Sequence, residues 1–329
     1  MKIVDMHCDT LSALLAAKRQ GRDCDLENSA TQISLSKMQS GDYLLQNFAV
    51  FVNLGETDTP LQEALEMIAL FDTEMAKHAD VIRPVCSYAD IERNQADGIM
   101  SALLTGEEGE ITLGKPEFLQ ILYKLGMRMM TLTWNYENSL GFPNVRLNRK
   151  ADTSSSGYCL SKENGLKEQG IAFLEEMERL GIIIDVSHLS DAGFYDVLSH
   201  TSKPFVASHS NARSVCPAVR NLTDDMIRRL AERGGITGIN FYKDFLGKPA
   251  VSRNYLDQSV VHMKYLMNLG GEDFVALGSD FDGIDRYHDL SDCSVMSKLV
   301  HTMKKAGLTP TQIEKICYKN TLRIYKELL

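Results

Sequence analysis

Apolar and β-branched residues gather in eight short runs along the chain, near residues 2–6, 47–52, 99–104, 128–133, 182–186, 204–208, 235–240 and 274–279. Between most of them lie stretches with helical periodicity, so the order reads strand, helix, strand, helix. The apolar character of Ile182–Val186, broken only by Asp185, predicts a strand buried on both faces, as parallel sheets require. Eight such units predict an α/β fold, specifically a closed (β/α)8 TIM barrel with helical and loop embellishments.

The helical stretches carry their own start signals. Pro60 stands at the first turn of a periodic run, Thr223 precedes Asp224 and Asp225 as an N-cap ahead of acids that suit the helix dipole, and Thr309-Pro310 opens the final helix in the same way. No repeat or Pro/Gly-rich linker divides the chain, so residues 1–329 are expected to form a single domain. The least regular segment, 141–157, is polar and rich in Asn, Arg and Ser, and is expected to form a loop on the catalytic face.

Candidate chemistry sits at the ends of those runs. His7 and Asp9 are separated by one residue and point to the same face of an extended segment, so both can reach one ion. Glu107 and Glu108, His188, His209 and Asp280 each follow a later run. A barrel gathers all strand ends on one face, which converts five separate coincidences into one site. Cys8 should point away from that site as a small buried filler.

Imidazole with carboxylate and no thiolate suits a pair of divalent ions, Zn2+ in the first place, with manganese or cobalt as substitutes. Such a pair can hold a bridging hydroxide and polarise a carbonyl, so no Ser or Cys nucleophile is needed. Asp280 is placed to take the hydroxide's proton and pass it to a leaving amine, whereas Asp282 beside Gly283 reads as a turn residue. His78, His200, His262, His288 and His301 have no ligand partner at useful spacing and are expected to be solvated or satisfied in the core.

Bulk composition narrows the partners. A formal net charge of −9 argues against a surface for nucleic acid or anionic lipid, which needs clustered Lys and Arg, and leaves small molecules. Seven cysteines without paired spacing fit reduced thiols. With no leader-like start and no run of 18 apolar residues, the expectation is a cytoplasmic protein that does not contact the membrane.

The motifs His7-Cys8-Asp9, Glu108-Gly109, Leu125-Gly126-Met127-Arg128 with Leu132-Thr133, Asp185-Val186-Ser187-His188, Ser208-His209-Ser210 with Arg220-Asn221, Asn240-Phe241-Tyr242, and Gly278-Ser279-Asp280-Phe281-Asp282-Gly283 occur in this order along nearly the whole chain. Together they resemble the membrane dipeptidase (renal dipeptidase) family of zinc metallopeptidases. The resemblance implies a binuclear zinc barrel that cleaves dipeptides with a free C-terminal carboxylate, tolerates a D-residue on that side, and forms homodimers.

By residue, it implies that His7 and Asp9 hold one ion, Glu108 bridges, and His188 and His209 hold the other. Strand alternation alone leaves Glu107 and Glu108 equivalent; the Glu-Gly match selects Glu108. Asp280 then corresponds to the acid/base, and Arg220 with Tyr242 to the pair that grips the substrate carboxylate. The mammalian members have a histidine after the Leu-Thr of strand four, where this chain has Trp134, its sole tryptophan, taken here as a pocket wall with Asn135 as a candidate helper.

Two other readings compete. A different amidohydrolase-type enzyme, acting on N-acyl amino acids, cyclic amides or phosphotriesters, is disfavoured because residues 128–133 contain no lysine to be modified as an ion bridge. A barrel that has lost catalysis and serves only for binding would lack Asp280 or a ligand, and neither is missing.

Overall fold

The computed structural model describes residues 1–27, 30–146, 159–160, 164–251 and 253–329. Its strands are β1 (Ile3–Asp5), β2 (Tyr43–Phe51), β3 (Ile82–Val85), β4 (Met100–Glu107), β5 (Met129–Thr131), β6 (Val145–Arg146), β7 (Cys159–Leu160), β8 (Ile183–Asp185), β9 (Val206–Ala207), β10 (Ile236–Ile239) and β11 (Val275–Leu277). Eight of them pair in parallel around a closed ring, β1-β2-β4-β5-β8-β9-β10-β11, with β11 returning to β1. This is the (β/α)8 barrel that the eight apolar runs predicted.

Closure on one side is the long register of β2 on β4, from Leu45 opposite Ser101 to Phe51 opposite Glu107, and β5 continues on the other edge with Thr131 opposite Glu107. The extra strand β3 pairs with the lower half of β4, Ile82 opposite Met100 to Val85 opposite Leu103. It escaped the hydrophobic pattern because Arg83 and Pro84 interrupt it, and proline removes a ladder donor that only an edge strand can spare.

Helix starts follow the chemistry at the caps. Pro60 begins the helix Pro60–Lys77, Thr223 accepts from Met226 N ahead of Asp224–Glu232, and Thr309 with Gln312 forms a reciprocal capping box ahead of Pro310–Glu314. At the barrel floor, Ile324 and Tyr325 of the helix Asn320–Leu328 pack among Val4, Leu45, Leu103, Met129, Ile183 and Ala276. A buried apolar side chain of Ile324's size contributes about 1.5–3 kcal/mol, and Tyr325 Oη also donates to Asn47 Oδ1 at 2.8 Å. The floor is therefore sealed, and only the opposite mouth is available for chemistry.

Of the irregular segment, residues 147–157 lie outside the described residues. The preceding piece does reach the mouth: Asn144 N donates to His188 O at 2.7 Å, and β6 pairs antiparallel with β7. The six cysteines described carry free thiols, and Cys8 is buried with Sγ donating to Asn47 O, away from its neighbours His7 and Asp9.

Candidate active site

Each strand end supplies its side chain to a cavity of about 670 Å³ at the open mouth. Asp9, Glu107, His188, Arg220, Tyr242, Trp134 and Asp280 all line it, and His7 and His209 lie buried beneath. His7 Nε2 stands 3.3 Å from Glu107 Oε2, 3.6 Å from Asp9 Oδ2 and 3.8 Å from Asp280 Oδ1. Glu107 Oε1 lies 3.0 Å from His188 Nε2 and 3.6 Å from His209 Nε2, so this carboxylate sits between the two halves of the cluster.

The expectation for Glu108 is therefore corrected: the carboxylate facing the histidines belongs to Glu107. Glu107 is the last residue of β4, and at Glu108 the backbone turns to φ 98° and ψ 102°, into the short 3-10 turn Gly109–Thr112. That turn breaks the strand alternation and sends the Glu108 carboxylate behind the site. There it accepts from Glu110 N and Trp134 N, each at 3.0 Å, and from Asn138 Nδ2.

Backbone strain recurs at the chemistry. His188 and Asp280 adopt φ of 66° and 65°, a left-handed region unusual for residues with a Cβ, and both stand just past the ends of barrel strands. Gly283 is needed for a different reason: a Cβ there would lie 2.1 Å from Asp9 Oδ2 and 2.6 Å from Asp280 Oδ1. Asp282 behaves as the turn residue expected, accepting from Gln32 N and Thr10 Oγ1.

The hydrogen bonds behind the histidines set their tautomers. His188 Nδ1 lies 3.0 Å from Asn135 Oδ1, an acceptor, so Nδ1 carries the proton. Ser208 Oγ donates its single proton to Asp185 Oδ2, so it accepts from His209 Nδ1 at 2.7 Å. Both Nε2 atoms are left as bare lone pairs, yet they stand 3.1 Å apart.

Lone pairs that close, with a carboxylate beside them, are satisfied by a cation. Two further observations fit the same group: among the described residues His7 Nε2 and Asp9 Oδ1 are buried without a hydrogen-bond partner. Two sets of ligand atoms lie within 4.8 Å of one another, His7 with Glu107 and His209, and His7 with Asp9 and Asp280. The donor set is imidazole and carboxylate without thiolate, which fits a divalent metal of the zinc type.

Electrostatics agree. Burial keeps His188 and His209 well below the usual imidazole pKa, as ligands require. Burial also opposes protonation of His7, but the charges of Glu107 and Asp9 outweigh it and push its pKa well above the usual imidazole value, the mark of a carboxylate-rich cluster that draws positive charge. Burial, aided by Asp9, raises Glu107 to about 7 and Asp280 to about 6. Acidic groups thus outnumber the local cations, a deficit that metal charge would fill.

Across the mouth, Arg220 is buried at 3% exposure and no carboxylate of the described residues pairs with it. Its Nη atoms make only long contacts, 3.3 Å to Ser210 Oγ and 3.4 Å to His209 O, its Nε has no partner among the described residues, and Phe245 stacks 5.3 Å away. Burial lowers its pKa to about 10, so it remains charged at neutral pH. Asn240 Nδ2 donates to Asp280 Oδ2 at 2.9 Å and so orients the acid.

A sealed barrel with imidazoles, carboxylates and one guanidinium converging at its mouth is the architecture of a metallohydrolase. The chain belongs to the membrane dipeptidase family, peptidase family M19, whose model matches residues 1–328. An uncharacterized dipeptidase of Schizosaccharomyces pombe is 31% identical over 350 aligned residues, covering 99% of this chain and 80% of that one.

Among solved structures, the dipeptidase AC of family M19 superposes with a TM-score of 0.85 at 26% identity, covering 100% of this chain and 98% of the other. A Rhodobacter sphaeroides metallopeptidase, liganded with a phosphinate mimic of the dipeptide L-Ala-D-Ala, gives 0.85 at 25% identity over 100% and 99%. The protein is thus a dipeptidase of a metal-dependent family. No helix among the described residues is long and apolar enough to cross a membrane.

Proposed function

We propose that the protein is a two-metal dipeptidase in which His7, Asp9, Glu107, His188 and His209 would hold the ions, and that it takes dipeptides with a free C-terminal carboxylate, including those with a D-residue there. The observation that carries the reading is the pair of unprotonated Nε2 atoms of His188 and His209 beside Glu107. When bound, the divalent ions supply Lewis-acid polarisation and an activated water.

The remaining roles fall to this chain's own side chains. Arg220, buried and without a carboxylate partner among the described residues, binds the substrate carboxylate, with Tyr242 also lining the cavity; a planar guanidinium suits a two-oxygen anion. Asp280 Oδ1, free of the Asn240 contact that occupies Oδ2, takes the proton from the attacking water and hands it to the departing amine nitrogen. The Rhodobacter sphaeroides relative with its L-Ala-D-Ala mimic supports the stereochemical part.

The test is turnover by metal-loaded protein of L-Ala-L-Ala and L-Ala-D-Ala beside their C-terminally amidated and N-acetylated forms. The free dipeptides should be cleaved and the blocked forms be poor substrates. Equal turnover of long or end-blocked peptides removes the claim.

A further inference from the structure

We propose that Phe51 and Trp134 form the wall that receives the side chain of the substrate's N-terminal residue, so that the enzyme favours dipeptides with a bulky apolar or aromatic residue in that position. The inference rests on the dipeptidase reading and adds the substrate class.

Strand order supplies the geometry. Around the eight-membered ring, β2 and β5 flank β4, with Phe51 and Thr131 both in register with Glu107, and Trp134 follows three residues after Thr131. Four places round the ring from β2 stands β9, whose following loop carries Arg220, and four places from β4 stands β10, whose end carries Tyr242. The carboxylate-binding side and the Phe51–Trp134 side therefore face each other across the histidine–carboxylate cluster.

A dipeptide in extended form spans about 7 Å at roughly 3.3–3.6 Å per residue. Held by its carboxylate at Arg220 with the scissile bond over the cluster, it directs its amine-side residue toward Phe51 and Trp134. These rings meet edge to face at 4.8 Å, and Tyr136 backs the indole at 5.8 Å. Both Phe51 and Trp134 are only partly buried and line the cavity, so they keep apolar surface for a ligand. The main chain that carries the indole is anchored too, Trp134 N donating to Glu108 Oε2 at 3.0 Å.

The experiment varies one end of the substrate at a time. The ratio of kcat/KM for L-Phe-L-Ala over L-Ala-L-Ala should be about tenfold or more, the size of discrimination that an apolar pocket gives. Trp134→Ala and Phe51→Ala should bring that ratio toward one and leave the ratio of L-Ala-L-Phe to L-Ala-L-Ala unchanged. Trp134→Phe and Phe51→Leu should retain part of the preference and serve if the alanine variants fold poorly.

Trp134, the chain's single tryptophan, gives a second readout that needs no turnover. Its emission should shift when a phosphinate dipeptide mimic with an aromatic amine-side residue binds, and much less for the mimic carrying the aromatic ring on the carboxylate side. A wild-type ratio near one, a loss shared equally by both substrate series, or equal emission changes with the two mimics overturns the assignment while dipeptide cleavage stands. Failure to cleave any free dipeptide overturns the parent reading and this one together.

Discussion

Asn135 Oδ1 accepts a hydrogen bond from His188 Nδ1 at 3.0 Å, and that one contact decides which imidazole nitrogen faces Glu107. Partners of this kind, behind a metal ligand, typically change metal affinity by about 10–100-fold when removed. Asn135→Ala should therefore weaken zinc binding by about that factor in a chelator-buffered titration. Unchanged affinity would mean that the ring is held by packing alone.

Glu107 and Glu108, adjacent in sequence, should respond in opposite ways. Glu107→Gln should lose metal by more than the roughly 100-fold upper range of an indirect partner. Glu108→Gln should keep metal content but unfold more easily, by about 1–3 kcal/mol in urea, because a buried group then meets the N–H donors of Glu110 and Trp134 less well. The reverse pattern would return the ligand role to Glu108.

Asp280→Asn should retain both metals, since the amide still fits beside Asn240, yet lower kcat by about 10² or more if proton transfer is its task. Metal analysis on the same sample separates the two effects. A variant that turns over normally would move proton transfer to another group.

His262 gives a pH dependence that belongs to the fold. It is buried between Ala212 N, which donates to Nδ1 at 3.2 Å, and Leu246 O, which accepts from Nε2 at 2.9 Å, and burial lowers its pKa to about 4. The folded state keeps it neutral while the unfolded chain protonates near 6.5, so its contribution is complete above pH 6.5 and is lost as the pH falls toward 4. The difference in urea stability between the wild type and His262→Gln should shrink by about 3 kcal/mol over that window. A difference that stays flat with pH would exclude the neutral-imidazole clamp.

The barrel was legible because its strands are buried on both faces and appear as largely apolar runs, Val275–Leu277 without a break and Ile183–Asp185 with one buried acid at its end. Metal-type side chains at the ends of such runs were legible for the same reason. Glu107 was not separable from Glu108, since β4 is buried at every position and so carries no alternation, and the deciding turn at Glu108 is a tertiary feature. Asn135 and Ser208 were out of reach as histidine partners, and Asp185 as the acceptor behind Ser208, because an amide, a hydroxyl and an acid reveal such roles only once the strand ends meet. Phe51 carries no sequence signal that sets it apart from the chain's other aromatics, and only the β2–β4 register puts it opposite Glu107.

The left-handed backbone at Glu108, His188 and Asp280 has an evolutionary consequence. At each of these three points glycine would relax the main chain, so selection for thermal robustness alone would drift toward erasing the side chain that anchors the loop and those proposed for the ion and the proton. Side chains held in conformations that disfavour them mark where this barrel gives up stability for its site.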